Sequence, residues 1–300
     1  MNLLVAGGSG FIGSHIVREL IEHSPESAVR ILTRKTKAES PWGPRVQYAA
    51  GDVTVPQSLT ALLQGVDVVI HCVQFPNHPV ENPAKGWTYE RVDGQGTWNL
   101  VNACMPAGVH RFVYLSGAGA GPGRSEPWFH AKHEAEQAVR QSGMEYAILR
   151  PSWVYGPEDR SLNRFVMLAR RSPVIPVIGN GRSRVQPVSV FDVAKVAALS
   201  ATRAQAPNAV FELGGPEELS MNEILRTVQK ILGKRRILMH SPVVVMKLVT
   251  RVLALLPNPP LTPSAIDFIL MEERVDPRPA EEFFGMKFES LEAGLRRYLT

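Results

Sequence analysis

The sequence predicts an α/β fold in which a parallel, doubly wound sheet is joined to a smaller, helix-rich C-terminal lobe. Short apolar runs that could be buried on both faces alternate with stretches of helical periodicity. This alternation is typical of strand–helix–strand units with right-handed crossovers. The length of 300 residues allows one large α/β domain or such a domain with an added lobe.

The apolar runs and helical patterns place the elements in order along the chain. The predicted strands are 3–6, 29–32, 46–50, 68–70, 112–115 and 146–149, and the predicted helices are 13–23, 56–64, 97–107 and 130–142. Pro56 suits a first helical turn, while Gly108 and Gly143 suit helix ends. Prolines and glycines become denser after Pro151, and a helix-rich tail covers 220–299. We therefore predict a core of 1–155 plus about 183–215, and a lobe of 156–182 and 216–300.

The first strand runs directly into a glycine-rich turn that opens an amphipathic helix. Glycine allows a tight turn and a close approach of the backbone to a pyrophosphate. Free N–H groups at the start of the helix then attract the phosphates. We predict a dinucleotide-binding loop, and the residues expected to contact the cofactor there are Gly7, Ser9, Gly10, Phe11, Ile12 and Gly13.

Basic residues follow the second strand, where NAD-preferring folds usually carry an acidic residue for the ribose hydroxyl. Arg34 and Lys35 can pair with a 2′-phosphate instead, so NADP(H) is favoured over NAD(H), although a solvated basic loop would look the same. Asp52 and Val53 follow the third strand and are expected near the adenine. The alternative for Asp52 is a turn stabilised by its own side chain.

The composition is that of a globular protein, with 44% hydrophobic and 20% charged residues. The net charge of +5 comes without a long basic run, so we expect no nucleic-acid partner. Cys72 and Cys104 are interpreted as free thiols of a reducing compartment. Because a strand begins at Leu3, we expect no signal peptide and a cytoplasmic protein. No metal site is predicted, since His130 and His133 lack a third ligand at suitable spacing.

Several segments resemble the short-chain dehydrogenase/reductase superfamily, in its extended and atypical branches. These branches include nucleotide-sugar epimerases. The matching segments are 7–13, 51–53, 65–71, 113–116, 150–157 and 187–194. Residues 156–165 most resemble the family that contains the Rossmann-fold accessory subunit of respiratory complex I. The resemblance implies a Rossmann-type core and places Cys72, Val73 and Pro151 beside the cofactor.

The resemblance also implies a catalytic Tyr-x-x-x-Lys helix, in which the tyrosine transfers a proton and the lysine holds the nicotinamide ribose. Lys132 occupies the lysine position, but Trp128 occupies that of the tyrosine, and an indole N–H does not exchange a proton at useful pH. The hydroxyl position corresponds to Ala118, or to Ser116 after a shift of two residues. We therefore predict Lys132 and Ser116 as the catalytic candidates.

Other side chains could replace the missing acid. His130 and Tyr155 lie on segments that border the nicotinamide in similar proteins, and histidine has a suitable pKa. His130 is about half a helical turn from Lys132, however, and is expected to point elsewhere. The loop 71–79 could line a substrate pocket or be purely structural.

These observations leave three functions open. The first is an NADP(H)-dependent reductase of a small or medium hydrophobic carbonyl, enone or quinone. The second is a non-catalytic NADP(H)-binding module for redox sensing or assembly, and the third is a nucleotide-sugar epimerase or dehydratase. The apolar stretch 242–256 is too short to span a bilayer. It is interpreted as a core or interface helix, or alternatively as a membrane-surface or partner-docking helix.

Overall fold

The central sheet is parallel throughout and has seven strands. The computed structural model describes residues 1–34, 42–124, 126–253, 259, 261–272 and 274–300. The strands of the sheet, in their spatial order, are β11 (Ala209–Leu213), β6 (Glu145–Pro151), β5 (Arg111–Leu115), β4 (Val68–His71), β1 (Asn2–Ala6), β2 (Ala28–Thr33) and β3 (Val46–Ala50). The order reverses at β1, between β4 and β2, so a cleft opens at the carboxyl ends of these strands.

Alternate residues of each strand face two separate cores, which explains the continuous apolar runs. On one face, Val5 and Ile31 pack with helices α1 (Phe11–His23) and α5 (Val190–Thr202). On the other face, Leu4 and Phe112 pack with helices α2 (Gly96–Ala107) and α3 (Pro127–Gln141). The predicted doubly wound α/β architecture is thereby confirmed.

The lobe has an apolar core of its own, which Tyr155, Ile224 and Leu295 help to form. Its helices are α4 (Leu162–Arg171), α6 (Met221–Ile231), α7 (Val243–Leu253), α8 (Pro263–Ile269), α9 (Arg278–Phe284) and α10 (Leu291–Leu299). Three two-stranded sheets accompany them: β7 (Val154–Tyr155) with β10 (Val188–Ser189), β9 (Arg184–Val185) with β12 (Leu219–Ser220), and β8 (Val174–Ile178) with β13 (Ile237–Ser241). Within the segment assigned to the lobe, Phe284 of α9 packs into the core of the main sheet.

One predicted helix differs from the observed structure, and two observed elements were not predicted. Segment 56–64 forms two short 3₁₀ turns, Pro56–Ser58 and Ala61–Leu63, because Leu59, Leu62 and Leu63 are buried without a continuous helix. The helix at 97–107 is preceded by a π-helical turn, Tyr89–Gln95, which no pattern in the sequence predicts. Strand β11 was not predicted either, although its segment was assigned to the core.

The apolar segment 242–256 is described as far as Leu253, where it forms α7. Val244, Leu248 and Val252 of α7 are exposed, so burial in the core is wrong for this face of the helix. In the part of the chain that the structure describes, no helix combines the length and apolar character needed to cross a bilayer.

Candidate functional site

The turn between β1 and α1 has no room for side chains. Gly7 has a φ of +91°, and a Cβ atom there would lie 2.9 Å from the carbonyl carbon and oxygen of Cys72. A Cβ on Gly13 would lie 2.1 Å from the carbonyl oxygen of Gly7. The N–H of Gly10 donates to that same oxygen at 2.9 Å. Glycine is therefore required by the close packing of this turn, as the spacing predicts.

The start of α1 is suited to an anion. The helix begins at Phe11 with no side chain capping it and no acidic residue in its first turn. Ser9 and Gly10 are exposed, whereas Phe11 and Ile12 are half-buried. Backbone N–H groups at such a helix start can bind phosphate, and the tight turn leaves the backbone accessible. These residues fit the pyrophosphate of a dinucleotide, and their individual contacts stay predictions.

The residues predicted to hold the adenosine end lie after β2 and β3. Arg34 is exposed immediately after β2, and Lys35 lies outside the described residues. Oδ1 of Asp52 accepts hydrogen bonds from the backbone N and Oγ1 of Thr54, both at 2.8 Å. The alternative interpretation of Asp52 as a turn-forming residue is thus confirmed for this oxygen. Val53 is buried, and its carbonyl accepts a hydrogen bond from Asn99 at 2.9 Å.

Cys72, Val73 and Pro151 all lie at or just beyond the carboxyl ends of strands. The backbone N of Cys72 donates to Ala6 at 2.9 Å, and its thiol donates to the same oxygen at 3.2 Å. Burial raises the pKa of this thiol to about 12, so Cys72 stays protonated and is no nucleophile. Val73 is half-buried, and Pro151 is buried with its carbonyl accepting from Ala118 at 3.0 Å.

Lys132 forms a buried ion pair with Asp93. Its Nζ lies 3.0 Å from Oδ1 of Asp93, and the two side chains are 3% and 0% exposed. Burial raises the pKa of Asp93, and the charge of Lys132 opposes that shift. Burial alone would lower the pKa of Lys132, but Tyr114 and Asp93 outweigh it and raise this pKa. Lys132 therefore stays charged, held by a carboxylate on the π-helical turn.

A neutral hydrogen-bonded network lies beneath this pair. Nε2 of His71 lies 2.9 Å from Oγ1 of Thr97, which donates to the carbonyl oxygen of Asp93 at 2.6 Å. The His71 ring stacks on Tyr114 with centroids 5.6 Å apart. Burial, reinforced by the charge of Lys132, lowers the pKa of His71 to about 3. At neutral pH His71 is therefore uncharged, and Lys132 is the cation that lies next to this network.

Trp128 covers Lys132 instead of offering it a tyrosine hydroxyl. The indole ring lies 5.0 Å from Nζ of Lys132, and a Cβ on Gly117 would lie 2.4 Å from its Cζ2 atom. Four aromatic side chains complete what we call the aromatic enclosure around Trp128: Phe75, His78, Tyr89 and Phe268. Phe268 belongs to α8, so the C-terminal lobe closes one side of the enclosure.

Two nitrogen atoms inside the enclosure are buried without a hydrogen-bond partner among the described residues. They are Nε1 of Trp128 and Nε2 of His78, whose rings lie 5.1 Å apart. Burial, helped by the charge of Lys132, lowers the pKa of His78 to about 3, so this ring is neutral. Because buried polar atoms are rarely left unpaired, these two nitrogens mark a place where a ligand could supply acceptors or donors.

The other candidates for proton transfer are held elsewhere. Ser116 donates to Glu136 at 2.6 Å, and Arg150 binds the same carboxylate at 2.8 and 2.6 Å. Tyr155 is buried in the core of the lobe, where its hydroxyl donates to the carbonyl of Ser290 at 3.3 Å. His130 is exposed, in line with its position half a turn from Lys132. Ser116 stays a prediction, but its hydroxyl is directed at Glu136.

Three residues of this site were not singled out from the sequence. Asp93 lies on a π-helical turn, for which no sequence period was detected. His78 was considered only as part of the loop 71–79, where its surroundings could not be known. Phe268 reaches the enclosure from a distant helix, and no signal in the sequence indicates that contact.

The comparison with protein families decides the assignment of the chain. The model of the NAD dependent epimerase/dehydratase family matches residues 3–214. The chain belongs to this family. The predicted membership of the extended and atypical short-chain dehydrogenases/reductases is thereby confirmed, as is the expectation of a nucleotide-binding Rossmann fold.

Relatives of the chain include reductases and a respiratory-complex subunit. Ceramide reductase from Caulobacter vibrioides is 32% identical over 63% of this chain and 57% of its own length. Subunit 9 of the NADH dehydrogenase [ubiquinone] 1 alpha subcomplex from Arabidopsis thaliana is 28% identical over 73% of this chain and 55% of its own length. The 2-alkyl-3-oxoalkanoate reductase of Stenotrophomonas maltophilia is 27% identical over 99% of this chain and 98% of its own length. The chain thus spans little more than half of the first two relatives.

Solved structures of sugar-nucleotide enzymes share the fold. The UDP-glucose 4-epimerase of Thermotoga maritima has a TM-score of 0.76 at 22% identity, covering 99% of this chain and 96% of the epimerase. MoeE5, solved with UDP-glucose and NAD, has a TM-score of 0.76 at 23% identity over the full length of both chains. At this level of identity the likeness establishes the fold alone.

Proposed function

We propose that this family member is an NADP(H)-dependent reductase of a small or medium hydrophobic carbonyl, enone or quinone. The observation that carries the proposal is the pair of unpartnered nitrogens, on Trp128 and His78, inside apolar walls at the carboxyl ends of the strands. Apolar walls with few polar groups suit a largely hydrophobic ligand that offers one hydrogen-bond acceptor. Two relatives whose names describe reduction of ceramide and of oxoalkanoates are consistent with this substrate class.

The residues of the enclosure would orient the substrate and stabilise charge. A bound NADPH would supply a hydride to the electrophilic carbon. The N–H of Trp128 would donate to the substrate oxygen as negative charge develops there, and the proton that completes the product would come from water. Lys132 lies 5.0 Å from the Trp128 ring, so its positive charge favours the same developing anion. No tyrosine is needed in this scheme.

The preference for NADP(H) rests on Arg34, which is exposed directly after β2. Its guanidinium can bind a 2′-phosphate through two hydrogen bonds, whereas NADH offers it only a hydroxyl. In a titration followed by nicotinamide fluorescence, we expect NADPH to bind about tenfold or more tightly than NADH, and Arg34→Ala to remove that difference. Equal affinities for both cofactors in the unsubstituted protein would contradict the preference.

Trp128→Phe tests the donor while keeping an aromatic ring in place. We expect NADPH affinity to be unchanged and the turnover of a quinone or enone to fall about tenfold to a hundredfold, because one donor to the oxyanion is lost. The matched control is Trp98→Phe, at an exposed tryptophan of α2, which should leave turnover unchanged. Equal turnover of the two variants would rule out the proposed role of the indole.

A second candidate is a non-catalytic NADP(H)-binding module, and a specific observation favours it. Trp128 packs against Gly117 and covers Lys132, which is itself paired with Asp93. The relative named as a subunit of NADH dehydrogenase is consistent with a binding role in an assembly. Tight NADPH binding with no oxidation by any quinone, enone or ketone tested would support the module over the reductase.

A further inference from the structure

The outer face of α7 is apolar and uncovered. Val244, Val245, Leu248, Val249 and Val252 lie on this face, and each is between 46% and 79% exposed. Their spacing of one, three and four residues places them on one side of the helix. An aliphatic surface of this kind is unusual on a globular protein unless something binds it.

The opposite side of α7 holds the helix on the lobe. Thr250 is fully buried, and Lys247 forms an ion pair with Asp267 of α8. Met246 and Leu253 are half-buried. The apolar outer face is therefore presented by a helix that is already anchored, and it does not depend on refolding of the segment.

The segment of the chain that contains α7 is strongly basic. Residues 224–266 contain seven lysines and arginines and no aspartate or glutamate, whereas the whole chain has 33 basic and 28 acidic residues. The rest of the chain therefore carries a slight negative excess. Lys234, Arg235 and Arg251 of this segment are exposed. Lys230 of the same segment pairs with Glu292 and Lys247 pairs with Asp267, so five of the seven cations lie outside these two ion pairs.

We propose that α7 docks on an anionic lipid surface and lies in the plane of the interface. Aliphatic side chains would enter the acyl boundary while the flanking cations bind the headgroups. The eleven residues of α7 span only about 16 Å, so the helix can lie on a bilayer but cannot cross it.

The chemistry of the face favours lipid over a protein partner. Protein interfaces draw their binding energy chiefly from tryptophan, tyrosine and arginine, and valine and leucine contribute less often. The exposed apolar residues of α7 are all valine or leucine. A second copy of this chain would bring two basic segments together and oppose their association.

Flotation with lipid vesicles tests the proposal on the whole chain. We compare vesicles of phosphatidylcholine alone with vesicles that also contain phosphatidylglycerol, at low and high salt. We expect about tenfold more protein to float with the anionic vesicles, and added salt to reduce that binding. The double variant Leu248→Asp/Val252→Asp should lose about tenfold of the binding.

Two controls separate the surface from general effects. Met167→Asp introduces one aspartate at an exposed apolar residue of α4 in the same lobe, is compared with the single variant Leu248→Asp, and should float like the unsubstituted protein. Circular dichroism should show all variants folded, because the substituted side chains are exposed. NADPH titration is unaffected under this proposal, so a failure of the proposed reductase activity leaves it intact.

Three outcomes would overturn the proposal. They are no flotation with anionic vesicles, equal loss in Met167→Asp, and a concentration-dependent dimer that Leu248→Asp/Val252→Asp dissociates while flotation is absent. The last result would assign the face to self-association. A fourth outcome, equal binding to both vesicle types without salt dependence, would also overturn the proposal, because the basic residues would then have no role.

Discussion

At the glycine loop, backbone N–H groups stand at the start of α1 with no side chain over them, whereas at the other end of the same cleft Lys132 is covered on all sides. The loop achieves an open anion site by removing side chains, since a Cβ on Gly13 would lie 2.1 Å from Gly7. The Lys132 end does the reverse, because it pairs the ammonium with Asp93 and closes it with Trp128.

The glycine loop and the Lys132 end of the cleft differ in whether their positive charge already has a partner within the protein. The helix start offers partial positive charge that awaits an anion. At the far end Lys132 is paired with Asp93, and the polar atoms of the aromatic enclosure that lack a hydrogen-bond partner among the described residues are two neutral nitrogens. We infer that the glycine loop binds the phosphates of the cofactor. The aromatic enclosure around Trp128 would select the substrate through hydrogen bonds in apolar surroundings.

The largest effect is expected from breaking the buried pair. Lys132→Met leaves the carboxylate of Asp93 buried without its cation, so we expect the free energy of unfolding to fall by about 3–5 kcal/mol in urea denaturation. Adding Asp93→Leu should recover much of that loss, since the uncompensated charge is then gone.

The control for this prediction is Arg278→Met. Arg278 pairs with Asp276 on the surface, with the two side chains 78% and 47% exposed, and its loss should leave the free energy of unfolding nearly unchanged. An equally small change in Lys132→Met would show that the Lys132–Asp93 pair does not stabilise the closed end.

A methyl group in the glycine loop tests the open end. In Gly13→Ala the new Cβ clashes with the carbonyl oxygen of Gly7, so α1 must shift. Its first N–H groups would then no longer be positioned to bind the phosphates. We expect NADPH affinity to fall about a hundredfold, measured by fluorescence titration. Gly121→Ala, where no atom lies within 4 Å of the added Cβ, should bind normally. Normal binding by Gly13→Ala would place the phosphates elsewhere.

The closed end should also make stability depend on pH. Burial lowers the pKa of His71 and of His78 to about 3, from an ordinary value of 6.5. The unfolded chain therefore binds more protons between these two values, and stability is lost as the pH falls below 6.5. At pH 5 the free energy of unfolding should be lower than at neutral pH by about 2 kcal/mol for each of the two histidines.

His78→Phe isolates one of these two contributions. We expect the loss of stability between pH 7 and pH 5 to shrink by about 2 kcal/mol in this variant, measured by urea denaturation at both values. His130→Gln changes an exposed histidine of α3 and should keep the pH dependence of the unsubstituted protein. An unaltered slope in His78→Phe would mean that His78 is not buried in solution.

Local patterns were sufficient for most of the sheet and for the phosphate end of the cleft. Strands buried on both faces appear as continuous apolar runs, and β1 to β6 were all predicted within a few residues. The glycine spacing fixes a turn whose requirement is steric and local. Lys132 and Trp128 could also be assigned to one helix face from the sequence, because residues four positions apart lie on the same side of a helix.

Contacts between distant segments were beyond such patterns. The predicted helix at 56–64 was wrong, because the leucines buried beneath this loop have the same spacing as those on one face of a helix. Asp93 meets Lys132 across thirty-nine positions of the sequence, and Phe268 meets Trp128 from another lobe. The apolar sequence of segment 242–256 fits both a buried helix and an exposed one. Only the packing of the folded chain decides which of the two occurs.

The sequence by itself thus determined the doubly wound sheet, the glycine loop and the replacement of the proton-donating tyrosine by Trp128, since these depend on period, spacing and residue type. Only the tertiary structure decided that Lys132 forms an ion pair with Asp93, that two nitrogens remain unpaired within the aromatic enclosure, and that α7 exposes its valines to solvent. Each of these depends on burial and on neighbours from other elements, and burial is a property of the packed chain.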